Sequence, residues 1–185
     1  MAGTIRRVVT GHDGAGKSVV LSDGAPPQHH PMHGPAIGAD FVEIWNAADA
    51  VPKLASAPAA EPNERPFTIM PPSGHLLRIL EVYPLGSGGQ RTPMHRTRTL
   101  DYVVMIEGEL TLILDDSEVV LKPGDVVVQR GTDHAWENRS HTVARAAFFH
   151  IDGAFSEELL DKLPKPLDLL REQPASKRPE DLERL

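Results

Sequence analysis

Between residues 75 and 150 the chain is cut into short β-favouring segments by turn residues at near-even spacing. The segments read "HLLRILEVY", "YVVMIEG", "ELTLILD", "SEVVLK", "DVVVQ" and "TVARAAFFH". Between them stand "GSGG", "EGE", "DDS", "KPGD" and "RGTDH". Each segment is too short for an independent helix and rich in Val, Ile and aromatic residues. Short strands joined by tight turns predict an all-β antiparallel sandwich or barrel. No βαβ alternation interrupts the series, so a parallel sheet is excluded.

The flanks are less regular. "TIRRVVT" (4–10) and "KSVVL" (17–21) read as strands joined by a Gly-rich loop, and "ADFVEIW" (39–45) alternates like a half-buried strand. The stretch between them, "SDGAPPQHHPMHGPAIG", is dense in Pro, Gly and His and reads as loop. Beyond Asp152, "SEELLDKL" and "RPEDLERL" read as short amphipathic helices. The expected organisation is an N-terminal β extension with loops over 1–66, a barrel over 67–152 and a short helical C-terminal tail over 153–185.

The chain has 185 residues, enough for a real hydrophobic core. It has no cysteine, which excludes disulfides, thiolate catalysis and cysteine-ligated metal. A net charge of −7 without a basic stripe opposes nucleic-acid binding. The N-terminus carries two arginines but no apolar h-region, and no run approaches a membrane span. A cytoplasmic protein without membrane or nucleic-acid partners is expected.

Residues 11–18, "GHDGAGKS", match the phosphate-loop pattern letter for letter. That pattern binds nucleotides only where a strand enters the loop and a helix leaves it, because the helix N-terminus aligns N–H groups on the phosphates. Here Val19 and Val20 favour a strand, and Gly24, Pro26 and Pro27 stop any helix. A hairpin turn is expected instead.

The chemistry-bearing residues gather in "GGQRTPMHRTRTLDYVVMIEG" and "KPGDVVVQRGTDHAWEN". On a strand, His95 and Thr97 share a face, as do His134, Trp136 and Asn138. The first segment spaces Gly89, His95, Thr97, Asp101 and Gly108 as in G-x5-H-x-H-x3-E-x6-G. The second ends Gly131, His134, Asn138, as in G-x5-P-x-G-x2-H-x3-N, one residue short. In both order and spacing the chain resembles the cupin family. The resemblance covers roughly residues 67–152 and implies a double-stranded β-helix, or jelly-roll, barrel. Thr97 stands where the family has its second histidine, Asp101 where it has glutamate, and Gln129 where it has proline.

The resemblance implies one divalent metal held by His95, Asp101 and His134, which would also be the catalytic residues. A 2-His-1-carboxylate set suits iron(II), and manganese, nickel or zinc also accept such donors. It further implies a small-molecule enzyme of oxygenase, lyase, dehydratase or isomerase type. The alternative is a metal-free or non-enzymatic barrel that binds a small molecule, with the surviving histidines contacting the ligand. Thr97, Gln129, Trp136 and Arg78 are the candidate substrate-binding residues, Arg78 by pairing with a carboxylate and Trp136 as an aromatic wall or as core. Tyr102, of opposite parity to Asp101, is expected in core or interface packing. His29, His30 and His33 form a lesser cluster in the Pro-rich loop. N-terminal strands with open edges seek partners, so a homodimer is expected.

Overall fold

The computed structural model describes residues 4–32, 38–54, 67 and 74–163. It contains eleven strands among them: β1 (Arg7–His12), β2 (Ser18–Gly24), β3 (Gln28–Met32), β4 (Ala39–Ala47), β5 (His75–Val82), β6 (Thr99–Glu107), β7 (Leu110–Ile113), β8 (Glu118–Leu121), β9 (Val126–Arg130), β10 (Ala135–Glu137) and β11 (Ala144–Asp152). One helix, α1 (Glu157–Lys162), follows; the Ser156 side chain caps it by accepting from Leu159 N–H. The second expected helix lies outside the described residues.

The strands form a six-stranded sheet ordered β3-β4-β5-β11-β6-β9, a three-stranded sheet ordered β10-β7-β8, and the separate hairpin β1-β2. Every named strand pair is antiparallel. The core lies between the two larger sheets. Phe41, Val82, Val103, Met105, Ala146 and Phe148 come from the large sheet, and Leu110, Leu112, Leu121 and Trp136 from the small one or its edge. This is the all-β barrel that the turn-punctuated pattern predicts.

Two expectations on the N-terminal side change. The Pro- and His-rich stretch is not all loop, since Gln28–Met32 pairs with β4. Its position at the sheet edge explains why Pro31 is tolerated there, because an edge strand has one side with no ladder bond to donate. The large sheet therefore begins well before residue 67, with β3 and β4 as two of its six strands.

The phosphate-loop letters spell a hairpin. β1 runs into β2 across residues 13–17 with no helix after Lys17. The Asp13 carboxylate accepts from the N–H groups of Ala15 and Lys17, both at 2.9 Å. Gly16 takes φ +79°, which an L side chain rarely adopts. The loop N–H groups a phosphate would use are turned onto the protein's own aspartate.

Candidate functional site

Register across the large sheet sets the site. Asp101 on β6 pairs directly with Gln129 on β9 and with His150 on β11. Facing positions in a ladder present side chains on the same side, so the three stand in one row. Two residues along each strand, the next row is Phe148, Val103 and Val127, which belong to or pack against the core. The polar row therefore adjoins the apolar core, while the next row continues past Phe148 into the buried Arg78 and Glu43.

The histidines of the two motifs meet across that row. His95 and His134 form an isolated antiparallel bridge and exchange both backbone hydrogen bonds, at 3.0 and 2.9 Å. Their ring centroids are 4.2 Å apart. Arg96 and Asp133, the neighbours of these histidines, form a two-pronged ion pair over the same bridge, with Nε donating to Oδ1 at 2.9 Å and Nη2 contacting Oδ2.

Hydrogen bonding fixes the proton on each ring. His134 Nδ1 lies 2.9 Å from the Thr132 carbonyl and His95 Nδ1 lies 2.8 Å from the Pro93 carbonyl. A carbonyl only accepts, so both Nδ1 atoms carry hydrogen and both Nε2 atoms carry lone pairs. Burial lowers the pKa of His95, and burial followed by the neighbouring His95 ring pushes His134 down to about 4. Both rings are neutral at pH 7.

Gln129 joins the two halves of the site. Its Nε2 donates to Asp101 Oδ2 at 3.0 Å and stands 3.2 Å from the His134 Nε2 lone pair. The other carboxylate oxygen, Oδ1, accepts from His150 Nδ1 at 2.9 Å. Asp101 is 1% exposed and Gln129 4%. The result is a continuous chain, His150–Asp101–Gln129–His134, with His95 against its last ring.

The other expected site residues divide. Thr97 is buried, but its hydroxyl bonds that of Thr99 at 2.7 Å. Trp136 belongs to the core, with its ring meeting His134 and Phe148 edge-on at 6.0 and 5.4 Å. Asn138 is structural: its amide donates to the Val82 and Thr142 carbonyls. Arg78 is buried one row along the same sheet face, opposite Phe148 on β11, over the rings of Phe41 and Phe67 at 5.3 and 5.4 Å, with Glu43 at 3.8 Å. That enclosure pulls its pKa down to about 10. Tyr102 is half-exposed on the outer face. His29 bonds Asp40 and His30 stacks on Phe67, so these two histidines do not converge; His33 lies outside the described residues.

His150 is a site residue that motif spacing does not mark. Its signal was parity alone, since it shares a strand face with the buried Ala144, Ala146 and Phe148.

The cupin domain model matches residues 82–151. A phomopsin biosynthesis cluster protein D of Diaporthe leptostromiformis is 39% identical over 150 residues, covering 75% of this chain and 73% of that one. The chain belongs to the cupin superfamily. A cupin-domain-containing oxidoreductase of Aspergillus ruber is 31% identical, covering 71% of this cupin and 63% of the relative. Among solved structures, a putative ethanolamine utilization protein Q from Salmonella typhimurium covers 82% of this chain and 99% of its own, with 12% identity and a TM-score of 0.44.

A cupin metal would draw here on His95, Asp101 and His134. Among the described residues, no group of three His, Asp or Glu side chains is arranged to hold a metal ion. The donor set explains this. The His134 lone pair and one Asp101 oxygen face the Gln129 amide, the other Asp101 oxygen holds His150, and Thr97 brings a hydroxyl already engaged with Thr99. As arranged, these residues do not fit a mononuclear metal.

Proposed function

We propose that this cupin catalyses proton transfer on a small organic molecule, as an isomerase or dehydratase-type lyase, with His150 as general base. The observation that carries the reading is the His150 Nδ1 contact to Asp101 Oδ1 at 2.9 Å. A carboxylate on Nδ1–H fixes the tautomer with the lone pair on Nε2 and stabilises the imidazolium formed when that atom takes a proton. Gln129 anchors the second carboxylate oxygen, so the pair is held on both sides.

The chemistry this allows is balanced within one residue. His150 Nε2 removes a proton from carbon next to a carbonyl. The electron pair left on carbon forms a double bond. The imidazolium, whose proton exchanges with solvent, then delivers a proton to a second carbon, or to a departing hydroxyl that leaves as water. His95 Nε2, also unprotonated, accepts a hydrogen bond from the substrate and orients it. A small-molecule substrate agrees with the names of the relatives, several of which are biosynthesis cluster proteins.

The test is deuterium incorporation or water loss with a panel of β-hydroxy and β-keto carbonyl compounds, using chelator-treated protein. Turnover should survive the chelator and fall by about 100-fold or more in His150→Ala and Asp101→Asn. Turnover that the chelator abolishes and added metal restores would overturn the reading, as would full activity in His150→Ala.

A further inference from the structure

Of the departures from the family pattern, Gln129 is the one whose side chain touches both Asp101 and His134. Where the pattern has proline, this chain has Gln129. Proline brings no side-chain donor. A carboxamide brings two N–H groups on one nitrogen, and here that nitrogen stands 3.0 Å from Asp101 Oδ2 and 3.2 Å from His134 Nε2. The amide bridges the two groups that a divalent cation would otherwise bridge.

The orientation of the amide follows from its partners. Asp101 as a carboxylate only accepts, and His134 Nε2 has a lone pair because Nδ1–H is used on Thr132. Both therefore require the NH2 end. The opposite end, Oε1, is buried without a hydrogen-bond partner among the described residues. The amide thus accepts an unsatisfied oxygen in order to place its nitrogen between carboxylate and imidazole.

We infer that Gln129 is a specificity-determining plug: its carboxamide occupies the coordination space of a divalent cation and holds this cupin in a hydrogen-bonded, metal-excluding state. Removing the amide frees His134 Nε2 and Asp101 Oδ2 beside the lone pair of His95. Those three atoms are the donors that remain of the family pattern, with aspartate in place of its glutamate and Thr97 in place of its second histidine. The inference uses the same network as the proton-transfer reading but concerns metal affinity, which is measured separately.

The experiment uses untagged protein stripped with chelator and titrated with Zn2+, Ni2+, Mn2+ and, without air, Fe2+. Gln129→Ala and Gln129→Ser should bind at least one of these about 10- to 100-fold more tightly than the wild type. Adding His134→Ala should erase the gain. Nitrogen-15 NMR supplies a readout on the wild type alone: zinc should leave the His134 Nε2 resonance in place, and should move it in Gln129→Ala. Wild-type protein that binds stoichiometric metal with a shift at His134 Nε2 would overturn the inference. So would folded Gln129 variants that bind no more tightly than wild type. If both variants lose their fold by circular dichroism, the wild-type resonance decides. His150→Ala separates the two readings, because it should cut turnover about 100-fold or more while Gln129 still holds Asp101 Oδ2 and His134 Nε2, so that metal binding stays weaker than in Gln129→Ala.

Discussion

His95 and His134 face each other across a single antiparallel bridge, with their ring centroids 4.2 Å apart and both backbone hydrogen bonds made. Two imidazoles at that separation cannot both be charged without strong repulsion, and burial acts in the same direction on each. The pair is stable as two neutral rings. Its energetics therefore depend on pH.

Stability should fall as the medium is acidified through the range set by His134. Unfolded, its imidazole titrates near the ordinary 6.5; folded, it titrates at about 4. Above pH 6.5 the ring is neutral in both states and its contribution is complete. Between 6.5 and 4 only the unfolded chain takes up the proton, so acid draws the equilibrium toward unfolding. The shift from 6.5 to about 4 corresponds to a loss of roughly 3 kcal/mol. His95, also lowered, adds to the same trend. Urea unfolding at a series of pH values measures it. His134→Gln should flatten the slope between pH 4 and 6.5, and an unchanged slope would remove His134 as its source.

The Arg96–Asp133 pair fixes the bridge from outside. Arg96 is 3% exposed, its Nη1 has no hydrogen-bond partner among the described residues, and the pair joins the residues next to both histidines. Arg96→Ala leaves the Asp133 carboxylate without its counter-charge and should cost about 3 kcal/mol. The double variant Arg96→Met with Asp133→Leu should recover most of that loss, since replacing both charges removes the desolvation problem along with the attraction. Chemical denaturation of the wild type, each single variant and the double variant closes the cycle. A double variant as unstable as Arg96→Ala would mean that the charges themselves, rather than an orphaned carboxylate, set the cost.

The barrel was legible in the sequence because period-two alternation and turn residues are local signals. His95, Asp101 and His134 were legible because motif spacing marks them. β3 was not, because Pro31 and its glycine- and histidine-rich surroundings read as loop unless one knows that the strand lies on an edge. His150 was not, because its role comes from pairing with Asp101, 49 positions away along the chain. Gln129 was marked as a departure from the family pattern, but its effect depends on two partners that meet only when β6, β9 and the His95–His134 bridge come together. The surroundings of Arg78 were not legible either, because the aromatic rings of Phe41 and Phe67 and the carboxylate of Glu43 reach it only through strand pairing and packing.

The loop at 11–18 should bind no nucleotide. Asp13 already accepts from the N–H groups of Ala15 and Lys17, and its negative charge stands where a phosphate would have to lie. Equilibrium dialysis with magnesium and ATP or GTP should detect no micromolar binding, and Lys17→Ala should change nothing. Micromolar binding lost in Lys17→Ala would contradict this account of the hairpin.

The same hairpin should carry self-association. β1 and β2 form a two-stranded sheet of their own, and such a sheet is at best marginally stable in isolation. Its links to the barrel include Arg7, which donates to the Ile44 carbonyl at 3.3 Å and lies 6.0 Å from the centre of the Trp45 ring. Val8 and Val20 remain half or more exposed, and Leu21 is exposed with them. Burying those side chains against a second copy would remove apolar surface that is exposed among the described residues. The expected state is a dimer at micromolar concentration, with Val8→Asp or Val20→Asp weakening it about 10-fold or more by placing a charge in a dry contact. Deleting residues 1–24 should yield monomer or insoluble protein. Analytical ultracentrifugation of the three forms decides the matter. An intact chain that sediments as a monomer at high micromolar concentration would assign the exposed valines to an ordinary solvated surface.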